Sequence, residues 1–309
     1  MLIEEIIPAA LAGDRVDRVV ALLADISRAQ SSALIAAGGV SVDGSLATSG
    51  KVRLEEGQEL SIDPTMVPEK ELPQPDSSVA VEVVFADEHV VVVNKAAGVV
   101  VHPGAGNPTG TLVNGLLALY PEIASVGQLM RPGIVHRLDI GTTGLMVVAR
   151  TNEAYEGLVD ALSQRLVHRE YMAVAVGHFD APAGVIDASI GRDVRDIMKM
   201  AVRVDGKFAR THYEVVAAYD EPISASLVRC TLETGRTHQI RVHLAAVGHP
   251  VVGDVMYGGV RAGAPFRRPA LHAALLSFEH PVGGEQMSFE APLPADFTEL
   301  LSRFSGAGG

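Results

Sequence analysis

The 309-residue chain has one cysteine, no tryptophan and a deficit of basic charge, with 25 Lys+Arg against 37 Asp+Glu. A lone cysteine makes neither an internal disulfide nor a thiolate zinc centre, so the fold must rest on its apolar core. The hydrophobic content of 48% excludes a largely disordered chain. Apolar runs are short: Val90–Val93 ends at Asn94 and Lys95, and Val99–Val101 ends at His102. None approaches the roughly 20 residues that span a bilayer. Residues Met1 to Glu5 lack the basic segment of a secretion signal, so a cytoplasmic protein is expected. There is no G-x-S-x-G nucleophile elbow, and Gly104, Gly106 and Gly110 are spaced one residue too long for a dinucleotide fingerprint. No metal or organic cofactor is expected.

The net charge of −12 argues on its face against a polyanionic partner. The distribution along the chain qualifies that. Residues 1–130 carry 7 basic and 17 acidic side chains, residues 131–241 carry 14 of each, and residues 242–309 carry 4 and 6. The acidity is N-terminal. Of the 25 basic residues 20 are arginine, whose planar fork suits phosphate and carboxylate, although genomic base composition produces the same bias.

Four of the 17 prolines fall within residues 64–78, a stretch with little periodicity that is expected to be an extended linker. It separates a module at 14–63 from a larger domain at 79–309. In the module, Val16, Val19, Val20 and Leu23 repeat at helical spacing. Ser27 is the expected N-cap of a second helix over 29–37, closed by Gly38 and Gly39. Val40–Val42, an Asp43-Gly44 turn and Leu60–Ile62 read as strands. Beyond the linker, strands are expected at 81–85, 90–94, 144–149, 171–176, 212–217 and 225–231. Helices are expected at 110–120, 152–165 and 238–247. The fold class is therefore α+β, with a mixed, largely antiparallel sheet flanked by helices.

Three segments concentrate chemistry. In Arg131–Arg150, Asp139 stands between an apolar stretch and a Thr/Gly turn, beside His136 and Arg137. An aspartate there either caps the turn or acts as a catalytic carboxylate, and the neighbouring cations favour its ionised form. In Arg169–Gly177, Tyr171 is either a packing aromatic or a site residue. In Leu232–Leu244, Arg236, His238, Gln239, Arg241 and His243 crowd a glycine turn that feeds a helix, an arrangement suited to an anion. His238 and His243 are five apart and do not share a helix face, which disfavours a metal site. Cys230 lies in an apolar strand and reads as a buried filler.

Together these segments resemble the bacterial RNA pseudouridine synthases of the RluA/RluD type. The His136-Arg137-Leu138-Asp139 segment, the Arg169–Gly177 segment and the Glu233–His243 segment are similar to that family's three motifs, in the right order. Asn94–Pro103 is similar to a further stretch, with Ala96 where proline is usual. The resemblance implies Asp139 as the catalytic aspartate, Tyr171 and Arg241 as active-site partners, and RNA contacts from His136, Arg137, Arg236 and His238. Residues 14–62 resemble an S4 RNA-binding domain, which implies contacts from Arg15, Arg18, Arg28, Lys51 and Arg53. Ile140-Gly141 departs from the polar pair that usually follows the aspartate. The implied activity is isomerisation of uridine in structured RNA, most of all 23S rRNA, by a monomer. The same reaction on tRNA, and a silent RNA-binding protein of the same fold, are the alternatives. For an acidic chain this reading requires a basic strip around Asp139.

Overall fold

The computed structural model describes residues 2–68, 71–104 and 106–305, and the chain divides into two compact units, residues 1–71 and 72–309. In the first unit, an antiparallel sheet runs in the order Ile3–Ile6, Glu59–Ile62, Val40–Val42, Ser45–Leu46. The helices Val16–Leu23 and Arg28–Ala36 cover it, and Val16, Val19, Val20, Leu34, Leu60 and Ile62 share one core. Local chemistry sets the second helix: the Ser27 hydroxyl accepts from the Gln30 amide, and the Gln30 side chain accepts from the Ser27 amide. Asp43 and Gly44 both have positive φ, at 50° and 75°, as the tight hairpin turn requires.

The second unit is built on a nine-stranded sheet. Its main path runs Ala183–Asp187, Arg210–Tyr219, Ala225–Leu232, His168–Val176, Leu271–Glu279, Thr143–Ala149, Val90–Lys95, Glu82–Ala86, and Gln286–Glu290 pairs with Leu271–Glu279. Every pairing is antiparallel except that of Leu271–Glu279 with Thr143–Ala149. The unbroken valine run at 90–93 follows from burial on both faces. Val91 and Val93 enter the core that holds helix Leu112–Leu119, and Val90 and Val92 enter the core that holds helix Asn152–Ser163. Gly144, at φ 112°, lies against the Ala273 backbone where the parallel pair forms, and a Cβ there would collide with the Ala273 carbonyl.

The structure departs from the expectations in several places. The strands Ile3–Ile6, Ala183–Asp187, Leu271–Glu279 and Gln286–Glu290 and the helix Ala295–Ser302 were not expected. The strand expected from Tyr171 begins at His168, which puts Arg169 on the same face as Tyr171. The segment 64–78 is not uniformly extended. Asp63 caps a 3₁₀ turn at Pro64–Met66, and Asn114 donates to the Gln74 carbonyl at 2.7 Å while its own carbonyl accepts from the Asp76 amide. Residues 69 and 70 of that segment lie outside the described residues. No single helix among the described residues is long and apolar enough to cross a membrane.

Candidate active site

Asp139 is presented by a turn whose backbone is pinned from three sides. Leu138 is buried in the core, and the Thr142 amide donates back to the Asp139 carbonyl at 3.0 Å. The Ile140 carbonyl accepts from the Gly98 amide at 2.8 Å and from Lys95 Nζ at 3.4 Å, and the Gly141 carbonyl accepts from Arg268 at 3.1 Å. The Ile140 side chain points to solvent, and Gly141 lies so close to Pro269 that a Cβ would come within 2.9 Å of its ring. The unusual pair thus leaves the turn's anchors intact, because they are backbone groups.

The Asp139 carboxylate accepts from Arg241 Nη1 at 2.9 Å. Arg241 is itself held from behind: its Nε and Nη2 donate to the two oxygens of buried Asp254, at 2.6 and 3.0 Å. Asp254 is fixed in turn by the amides of Met256 and Tyr257. Burial works against the Arg241 charge, but the two carboxylates outweigh it and hold the guanidinium protonated far above the working range. The guanidinium also lies over the Tyr257 ring, 5.0 Å from its centroid.

His238 starts the helix Gln239–Ala246 in a left-handed conformation, φ 59° and ψ 18°, which turns its ring toward the carboxylate. The Tyr257 hydroxyl accepts from the Met200 amide at 3.0 Å and shares a 2.8 Å hydrogen bond with His238 Nδ1. With the Tyr257 proton given to Nδ1, the ring proton sits on Nε2, which is 3.8 Å from Asp139 Oδ1. Burial lowers the His238 pKa against the pull of Asp139. Lys95 is buried as well and donates to the Ala96 and Val99 carbonyls at 2.8 and 2.9 Å. Burial brings its ammonium down to about 8, Asp139 raises it and Arg268 lowers it. Burial pushes the Tyr171 phenol above its ordinary value, so at neutral pH it is a neutral hydroxyl.

Asp139, Tyr171, Arg241 and His238 line one cavity of about 560 Å³, together with Arg131, Arg137, Arg165, Arg169 and Arg236. Six arginines face two carboxylates, Asp139 and Glu233, so the cavity is lined by a basic strip in an acidic protein. Arg137 and Arg236 are exposed at the rim. His136 is corrected in one respect. Its Nε2 accepts from the Val147 amide at 3.1 Å, and burial, helped by Arg169, brings its pKa down to about 3. It is a neutral wall of the cavity and grips no phosphate as a cation. Cys230 is buried in its strand with its thiol pushed up to about 12, and His243 is held by Thr211 and the Ala188 carbonyl. No group of metal ligands occurs among the described residues.

In the first unit, Arg15 and Arg28 converge on the buried carboxylate of Asp17, at 2.6 and 3.0 Å. Arg18 pairs with Asp14, and Arg53 donates to the Gly13 carbonyl. Lys51 is exposed. Four of the five cations expected to face RNA therefore have partners within the unit, although Arg15, Arg18 and Arg28 keep 39–67% of their side-chain surface open.

Comparison with known proteins bears on this geometry. Residues 89–246 match the family model of RNA pseudouridylate synthase, and residues 14–60 match the S4 domain. This chain is an RNA pseudouridylate synthase family member. A protein of Xanthomonas campestris pv. campestris named ribosomal large subunit pseudouridine synthase D is 44% identical, covering 97% of this chain and 91% of the relative. The protein of the same name from Escherichia coli O157:H7 is 41% identical, covering 94% and 90%. Among solved structures, human RNA pseudouridylate synthase domain containing 1 is similar, with TM-score 0.59 and 29% identity over 75% of this chain and 91% of that one.

The synthase site contains residues that sequence reasoning missed. Asp254 is 115 positions from Asp139 and sits in a glycine-flanked turn that resembles any surface turn. Tyr257 and Arg268 are equally silent in sequence. Lys95 was visible as part of the Asn94–Pro103 stretch, but nothing local signalled that it lies under the Asp139 turn.

Proposed function

We propose that this synthase isomerises specific uridines of large-subunit ribosomal RNA in the cytoplasm, acting as a monomer without a cofactor, with Asp139 as the catalytic carboxylate. The observation that carries this reading is the Asp254–Arg241–Asp139 array at the wall of an arginine-lined cavity. The isomerisation breaks an N-glycosidic bond, turns the uracil and makes a C–C bond, with no net redox change. An ionised, oriented carboxylate is what each route needs, whether it attacks ribose C1′, adds to uracil C6 or assists a glycal pathway. Arg241 aims the Asp139 carboxylate through a charge-assisted hydrogen bond, and Asp254 fixes the guanidinium from behind.

Tyr171, as a neutral phenol, is suited to stack on the uracil and to pass a proton at C5. A uridine in folded RNA must leave its stack to enter such a cavity, and the rim arginines Arg137 and Arg236 are placed to hold the distorted backbone. The first unit adds RNA contacts through Lys51 and the open faces of Arg15, Arg18 and Arg28. The names of the relatives point to the large ribosomal subunit in preference to tRNA. Mapping pseudouridine in total RNA from a deletion strain tests this. The expected result is loss at a small set of large-subunit rRNA positions; loss confined to tRNA would assign the other substrate.

A further inference from the structure

Three buried side-chain atoms have no hydrogen-bond partner among the described residues: His102 Nε2, Thr142 Oγ1 and Arg169 Nε. All three belong to residues that line the same cavity. Arg169 is the costly one, because it carries a charge and is only 6% exposed. The other buried arginines are neutralised, Arg241 by Asp139 and Asp254 and Arg268 by Asp296. Arg169 has no carboxylate partner among the described residues; the Tyr171 phenol lies near enough to act on its charge, and Arg169 in turn acts on His136. A buried charge without a counter-ion is strongly unfavourable, so its retention is expected where a ligand supplies the missing charge. The Arg169 tip rests against the backbone of Gly235, where a Cβ would come within 2.8 Å of Nη1.

We propose that Arg169 receives the phosphodiester of the everted nucleotide. This rests on the reading of the cavity as the seat of an RNA uridine. Phosphate is the one anionic group that RNA brings, and the guanidinium fork binds it through paired hydrogen bonds, which the neutral carbonyls of uracil match poorly. Arg169 and Tyr171 are two residues apart on one strand face, roughly 7 Å along the backbone, and both line the cavity, so the guanidinium flanks the ring proposed to stack on the uracil. The rim arginines stay hydrated and screen phosphate loosely. Arg169 is desolvated in advance and discriminates for a nucleotide pulled fully into the cavity.

The test uses the full-length protein and a large-subunit rRNA fragment, with Arg169→Met, Arg169→Lys and Gly235→Ala. Arg169→Met relieves an unpaired buried charge, so its melting temperature is expected to hold or rise while kcat/KM falls on the order of tenfold to a hundredfold. Its salt dependence is expected to lose about one phosphate contact, a slope change of roughly 0.7–0.9 in log kcat/KM against log salt. Arg169→Lys should restore part of the activity, and Gly235→Ala should reproduce the defect by displacing the guanidinium tip. A neutral methylphosphonate at the target nucleotide should impair the wild type and leave Arg169→Met no worse. An unchanged salt slope, or an equal methylphosphonate penalty in both proteins, overturns the assignment, as does a large fall in melting temperature with kcat/KM unchanged. If the wild type itself forms no pseudouridine in the fragment, the reading of the cavity fails before Arg169 is tested.

Discussion

Asp254→Asn isolates the support behind Asp139, the carboxylate proposed to be catalytic. In the wild type, Arg241 and Asp254 are 8% and 1% exposed at their side chains and share two charge-assisted hydrogen bonds of 2.6 and 3.0 Å. Removing one partner of a buried pair typically costs about 3–5 kcal/mol, because the survivor remains charged and buried. Two features reduce that here. Arg241 keeps Asp139 at 2.9 Å, and asparagine keeps one carbonyl oxygen for a guanidinium N–H or for the Met256 amide. A loss of about 2–3 kcal/mol is therefore expected, or roughly 4–12 °C in melting temperature for a unit of this size. Asp139→Asn breaks one bond at a more exposed carboxylate and should cost less, about 0.5–1.5 kcal/mol. Catalysis should fall with Asp254→Asn by at least about tenfold in kcat, since Arg241 loses the clamp that sets its angle to Asp139. Thermal denaturation and pseudouridine formation on an rRNA fragment measure both. A melting temperature within about 2 °C of wild type, with kcat unchanged, would refute the idea that Asp254 holds the array.

Two further outcomes follow from the first unit. Burial pushes the Asp17 carboxyl up, but hydrogen bonds and charge from Arg15 and Arg28 outweigh it and hold the group below its ordinary 3.8. Its stabilising contribution is complete above the unfolded value near pH 4 and is lost as pH falls through the lower folded value. Acid titration of residues 1–71 within the full chain, followed by circular dichroism, should show that loss, and Asp17→Asn should flatten it. Deleting residues 1–71 should weaken RNA binding and blur site choice while leaving some isomerisation; filter binding and pseudouridine mapping report each, and unchanged affinity would remove RNA contact from the first unit.

What was legible in the sequence was what local chemistry controls. The Ser27 cap and the Asp43-Gly44 turn formed because a hydroxyl, an amide and two left-handed residues suffice for them. The motif residues Asp139, Tyr171 and Arg241 meet in one cavity, as their resemblance to a family implied. Strand Leu271–Glu279 escaped notice because the two strands it lies between, Thr143–Ala149 and His168–Val176, end 95 or more residues before it in sequence. Asp254 escaped although it is only 13 residues from Arg241, because the pairing exists only once the turn beyond helix Gln239–Ala246 has folded back. Ile140-Gly141 departs from the usual polar pair, yet the Asp139 turn is held by carbonyls, which every residue supplies.

The central claim is that Asp139 performs the isomerisation in this cavity. Purified wild type and Asp139→Asn, incubated with unmodified large-subunit rRNA and followed by pseudouridine mapping, test it most directly. Site-specific pseudouridine is expected with the wild type, and none with the variant despite near-normal RNA affinity. Turnover by Asp139→Asn at a rate near wild type would contradict it.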